Sequence, residues 1–188
     1  SWIQLKLKDP ACYLFFYLFG FYLALLAFRV KPWLAVAGAI GFGFSSYLFA
    51  IIAAGHISKA AALGYMAPLI GGLYLAFDRK PVLGTLMMTF FLSHMILTNH
   101  MQIVYYSMLA VLVFGIFWFY KRFIEKDLKS FFVSAGAVFV GLIIAIGINA
   151  SVLYLTYEYG KYSMRGKSEL TLNKENQTTG LNKDYATG

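Results

Sequence analysis

The sequence predicts an all-α, polytopic integral membrane protein of about six transmembrane helices. Three observations predict it. The first is composition: of 188 residues, 60% are hydrophobic, 19% aromatic and only 13% charged, with a mean hydropathy of +0.68. A soluble domain carries ~25% charged residues, and a globule of this size has no interior large enough for so much apolar surface. The second is that apolar residues come in continuous runs close to the ~17–25 residues a spanning helix needs. The third is that cations gather in the short breaks between those runs, where positive-inside topology puts them. These features exclude a disordered chain, a collagen, a coiled coil and a small disulfide scaffold. The alternating ten-residue strands of a membrane β-barrel are missing, and helices satisfy every backbone group within one segment.

The six runs follow in order. The first, 11–28, is preceded by Asp9-Pro10, an N-cap followed by proline at the first helical position. The second, 33–54, opens after Pro32. The third, 60–77, contains Pro68 and Gly71-Gly72, which predict a kink. The fourth, 82–98, follows Pro81 and is short, with His94 inside it; an ionisable group there is expected to face protein or a cavity. The fifth is 103–120 and the sixth 131–155. In the sixth, Ala137, Gly141, Ala145 and Asn149 recur every fourth residue, a stripe that lets another helix approach closely. The second carries Ala37 and Gly41, and Ala39 and Gly43, at the same spacing. Two regions are expected: a six-helix transmembrane region over 1–156, and the start of an extracytoplasmic soluble region over 157–188. Because residue 1 is Ser and the chain stops within a polar stretch, it reads as a piece of a longer protein.

Sidedness follows from the loops. The breaks after the first, third and fifth runs hold Arg29, Lys31, Arg79, Lys80, Lys121, Arg122, Lys126 and Lys129. The N-terminus and the other two breaks hold only Lys6, Lys8 and Lys59, and the tail adds three more near the last run. The richer set is expected on the cytoplasmic side, leaving both ends of the chain extracytoplasmic. Residues 121–129 read as a short amphipathic connector anchored on anionic lipid. The basic excess is thereby explained by membrane lipids, and nucleic acid is not expected as a partner. Cys12 stands alone, so no intrachain disulfide or thiolate cluster forms. His94 and His100 lack ligand spacing, and no metal is expected. No nucleotide or cofactor fingerprint occurs, and no cofactor is expected.

The breaks on the other side carry different chemistry. They read Gly55-His56-Ile57-Ser58-Lys59, then Asn99-His100-Met101-Gln102 with Tyr105 and Tyr106. The sixth run leads into Glu158-Tyr159-Gly160-Lys161-Tyr162-Ser163-Met164-Arg165. His56 and Lys59, three apart at a helix start, can grip one anion with the help of free N–H groups. The plainer reading is that Tyr, Lys and His anchor helix ends at the interface.

Gly55-His56-x-Ser58-Lys59 with Tyr65 and Pro68 resembles a segment of YfhO-type bacterial membrane proteins, as does the stretch from His100 through Gln102 to Tyr105-Tyr106. Glu158-Tyr159 through Ser163-x-Arg165-Gly166-x-Ser168-Glu169-Leu170 resembles the start of that family's outer domain. The resemblance implies a GT-C-like bundle and transfer of a sugar from a polyprenyl-phosphate carrier at the outer face of the membrane. It implies that His56 and Lys59 hold phosphate, that Asn99, His100 and Gln102 orient sugar or carrier, and that Arg165 joins this binding set. It places this chain in the N-terminal-to-middle part of such a protein, with the family's acidic loop ahead of Ser1 and the remainder of the full-length chain beyond Gly188. Glu158 is then the acidic candidate at the outer end. Two alternatives stand beside the enzyme: a non-catalytic membrane scaffold or export component, and a transporter, for which the chain shows His94 but no repeated halves.

Overall fold

The computed structural model describes residues 11–78 and 80–162, and every element among them is helical. In chain order these are α1 (Ala11–Ala27), α2 (Pro32–Gly43), α3 (Ser46–Ala53), α4 (Ile57–Asp78), α5 (Pro81–Leu97), α6 (Met101–Ile124), α7 (Leu128–Ile148) and α8 (Ala150–Tyr162). Pro32 and Pro81 sit in the first turns of α2 and α5, where the missing N–H costs nothing. Asp9 and its expected capping role lie outside the described residues.

The chain is a membrane protein by the length and composition of its helices. α4, α6 and α7 are each long and apolar enough to cross a bilayer, and α2 with α3 makes a fourth span if the bent pair counts as one. α1 and α5 are apolar but only 17 residues long. Few residues of α6 and α7 are buried, 17% and 22% of their apolar stretches against 61% for α4. Leu112, Val113, Ile116, Phe117 and Phe123 of α6 are all exposed, a face that water would not support and lipid does.

Helix continuity departs from the expected runs at several points. The break falls in the second run, which bends by 44° between α2 and α3. Ser45 is extended there, after a glycine-rich stretch that weakens the helix on the N-terminal side. Pro68, by contrast, lies inside an uninterrupted α4. A Cβ on Gly20 of α1 would lie 3.1 Å from the Pro68 ring, so a neighbouring helix packs on the site. The sixth run also divides: Asn149 caps α7, and α8 begins at once. The expected connector over 121–129 reduces to a turn, because α6 runs to Ile124 and α7 starts at Leu128, with Lys126 at φ +55.

α4 is the central helix of the bundle, packing most extensively on α5 and α1. Leu69, Leu73, Met88, Leu92, Met95 and Trp118 are almost wholly buried around it. α4 and α5 meet backbone to backbone: a Cβ on Gly72 would lie 2.6 Å from the Met88 nitrogen, so only glycine allows that approach. On α7, Gly141, Ala145 and Asn149 of the predicted stripe are buried, joined by Ser134 and Val138. A Cβ on Gly141 would lie 2.7 Å from Thr85 Cγ2 of α5. Asn149 Nδ2 donates to Ser93 Oγ at 2.8 Å and to the Ala145 carbonyl at 2.9 Å. On α2 only one of the two stripes packs: Ala39 and Gly43 are buried, whereas Ala37 is exposed and Gly41 faces open space.

The helix ends sort into two groups. Arg29 after α1 pairs with Asp78 at the end of α4. Arg122 at the end of α6 donates from Nη2 to the Phe77 carbonyl at 3.3 Å. The three basic breaks therefore share one end of the bundle. The starts of α1 and α4 and the end of α5 meet at the other, around one cavity. The chain divides into two compact units, Ser1–Leu153 and Tyr154–Gly188, and α8 runs across the division.

Candidate functional site

The non-basic end of the first unit carries the site. Gly55, at φ +73, turns the chain between α3 and α4. The His56 N–H donates to the Ile51 carbonyl at 3.1 Å, and its own carbonyl accepts from the Ala60 N–H at 2.9 Å. His56 thus closes α3 and opens α4, standing just before the helix rather than on its face. Lys59 lies on the first turn, and its Nζ sits 5.6 Å above the centre of the Tyr47 ring of α3.

The second segment is the turn between α5 and α6. Asn99 takes the left-handed conformation at φ +56, which asparagine tolerates better than most residues. His100 is the N-cap of α6, and its Nδ1 is buried with no hydrogen-bond partner among the described residues. Two residues on, Gln102 Nε2 donates to the Tyr106 hydroxyl at 2.9 Å. The expected anion-gripping and amide residues therefore stand on two neighbouring turns at the same end of the bundle.

Between these turns lies a cavity of about 350 Å³, lined by Tyr13, Ser58, Tyr65, His94, Leu97 and Thr98 among others. Ser58 and Thr98 belong to the two turn regions and join them across it. His94 faces this cavity, as its place in an apolar run predicts. Its Nδ1 is 2.9 Å from the Phe90 carbonyl, and its ring lies 5.7 Å from that of Tyr65. A carbonyl only accepts, so in this contact Nδ1 carries the proton and donates. Among the described residues that line this cavity, none is Asp, Glu, Lys or Arg.

A second cavity, of about 290 Å³, opens where the α2–α3 bend meets α1 and α4. Its walls include Phe21, Phe42, Tyr47, Leu48, Leu63 and Met66, together with Ser45. Phe21 and Phe42 stack at 4.3 Å. Tyr47 belongs to this wall and to the Lys59 contact alike, so the Lys59 ammonium stands beside a residue that lines an apolar cavity.

Sequence reasoning did not find these cavities. Tyr13 gives no local signal, since it is one aromatic among many. The apolar cavity depends on the bend at Ser45, for which the cluster of glycine and serine from Gly41 to Ser46 is the available signal. Glu158 lies on α8 in the second unit. Arg165 lies outside the described residues. Among the described residues no group of three or more His, Cys, Asp or Glu is placed to hold a metal ion. No family model matches the chain, and no curated protein or solved structure matches it either.

Proposed function

We propose that the chain is the membrane-embedded part of a YfhO-type, GT-C-like transferase, which takes a sugar from a polyprenyl-phosphate carrier at the extracytoplasmic face of the bacterial inner membrane. On this reading α1, the α2–α3 pair and α5 cross the bilayer together with α4, α6 and α7. The basic end is cytoplasmic and both chain ends are outside. The observation that carries the proposal is the position of Lys59. Its ammonium lies over Tyr47, and Tyr47 walls an apolar cavity. A cation at the edge of an apolar cavity is the chemistry that receives an anionic amphiphile, and a polyprenyl phosphate is one.

The isoprenoid chain enters the cavity walled by Phe21, Phe42 and Met66. The phosphate meets Lys59, His56 and the free N–H groups that start α4. The neighbouring cavity, with His94, Tyr65 and Ser58 in its lining, receives the sugar. Asn99, His100 and Gln102 orient sugar or carrier from the second turn. Transfer needs the phosphate leaving group stabilised and the acceptor hydroxyl deprotonated. Lys59 serves the first need. For the second, Glu158 is this chain's candidate, beside the acidic loop that the family resemblance places ahead of Ser1.

One observation favours a second reading, a non-catalytic scaffold or export component: among the described residues, neither cavity has an Asp or Glu in its lining. The two readings separate in proteoliposomes containing the full-length protein and a radiolabelled polyprenyl-phosphate sugar. The transferase moves label to an acceptor. Carrier binding without any transfer establishes the scaffold.

A further inference from the structure

The opposite end of the bundle holds a cavity of a different kind, of about 410 Å³, between the end of α4 and the starts of α5 and α7. Its lining includes Asp78, Arg122, Lys129, Ser130, Val133 and Ser134. We propose that it binds the headgroup phosphate of an anionic glycerophospholipid, with Lys129 and Arg122 as the cationic donors. The inference is independent of the transferase reading.

Three observations support it. First, Arg122 is held in place as a rigid donor. Its Nη1 meets Glu125 at 3.1 Å and Asp127 at 3.3 Å, its Nη2 meets the Phe77 carbonyl at 3.3 Å, and the guanidinium lies 5.6 Å from the Trp118 ring. A guanidinium has five N–H donors, so these contacts leave capacity for a phosphate oxygen. Second, the carboxylates nearby are already engaged. Asp78 pairs with Arg29, and Asp127 accepts from the Ser130 N–H and from Arg122. Lys129 makes no ion pair among the described residues. Around the cavity this end carries Arg29, Lys31, Lys80, Lys121, Arg122, Lys126 and Lys129 against Asp78, Glu125 and Asp127, a net charge of +4 over those positions. Third, the cavity continues into apolar surface. Val133 is both part of its lining and exposed, and Phe132 beside it is exposed too. A ligand with a phosphate at one end and acyl chains at the other fits that sequence of surfaces. Basic pockets between helices at the headgroup level bind such lipids.

Phosphate could come from a lipid or from solution, and the test has an arm for each. The full-length protein in neutral detergent is titrated with dioleoylphosphatidylglycerol, dioleoylphosphatidylcholine or inorganic phosphate, and bound species are counted by native mass spectrometry. The expected result is one saturable phosphatidylglycerol that phosphatidylcholine does not replace and millimolar inorganic phosphate does not displace. Lys129→Met should weaken its binding about tenfold, as one lost charge-assisted contact does. Arg122→Lys, which keeps the charge but not the planar fork, should weaken it less, by about threefold. Lys31→Met, at the same end but outside the cavity, should leave it unchanged. Equal weakening by the Lys31 and Lys129 variants would mean diffuse surface attraction and overturn the site. Displacement by inorganic phosphate, or equal binding of phosphatidylcholine, would overturn the anionic lipid as its ligand.

Discussion

Arg29 and Asp78, 49 positions apart, form an ion pair that ties the end of α1 to the end of α4. Arg29 takes the left-handed conformation, at φ +64, in the turn after α1. The side chain of Asp78 is 14% exposed and that of Arg29 46%, so the pair is half in water. Solvent screening limits its worth. Asp78→Asn should cost about 1 kcal/mol, within the range for a partly exposed pair. Arg29→Gln should cost no more, and the double variant should be less destabilised than the sum of the two. Thermal unfolding of all three in one detergent checks this. Strict additivity would show that the pair does not couple.

The pairing of helix ends predicts a labelling pattern. Ser58→Cys should react with a membrane-impermeant thiol reagent in intact cells, and Glu125→Cys should react only after permeabilisation. The reverse pattern would invert the proposed orientation while leaving the bundle as described.

The small-residue stripe of α7 gives a packing test. Gly141 faces Thr85, Met88 and Thr89 of α5 with no room for a Cβ. Gly141→Leu should destabilise the protein by at least ~1–3 kcal/mol, the usual range for overpacking. Leu142 is only partly buried against the core, so Leu142→Ala should cost less. Equal drops in melting temperature would show that α5 and α7 do not meet at Gly141.

This stripe shows what was legible in sequence. Small residues four apart on an apolar helix have one efficient use, and Gly141, Ala145 and Asn149 serve it. The order of the helices was equally legible, because Pro32, Pro81 and the basic breaks punctuate long apolar runs. Continuity within a run was not. Pro68 lies within one continuous helix, while the second run, which has no internal proline, bends at Ser45. Neighbouring helices decide such cases, and one sequence does not say which neighbours exist. At the site, the turns bearing His56 and His100 were legible as polar strings between apolar runs. The cavities were not, since Tyr13 and Tyr47 look like any interfacial aromatic until the bundle sets them beside Ser58 and Lys59.

Asp127 supplies a pH test outside the membrane-spanning helices. Its carboxyl is held below the usual aspartate range, first by its hydrogen bond to Ser130 and then by Arg122 alongside it. A depressed folded-state value stabilises the protein above the ordinary aspartate pKa of ~3.9. That contribution is lost as pH falls through the depressed value. Asp127→Asn should therefore lower the melting temperature slightly at neutral pH, and the gap to the unaltered protein should close at strongly acidic pH. A gap that stays constant with pH would remove the ionised carboxylate as its cause.

The most direct test of the central proposal is the affinity of the full-length protein for a short-chain polyprenyl phosphate, measured for Lys59→Met and Lys126→Met in the same detergent. Lys59 stands over Tyr47 at the edge of the apolar cavity, whereas Lys126 lies in the turn at the opposite end. The Lys59 variant should bind the carrier ~10- to 100-fold more weakly, as expected for one lost charge-assisted hydrogen bond of ~1.5–3 kcal/mol. The Lys126 variant should match the unaltered protein. Equal affinity of the two variants would show that Lys59 is only an interfacial anchor, and that the cavity beside it does not receive the phosphate-bearing lipid.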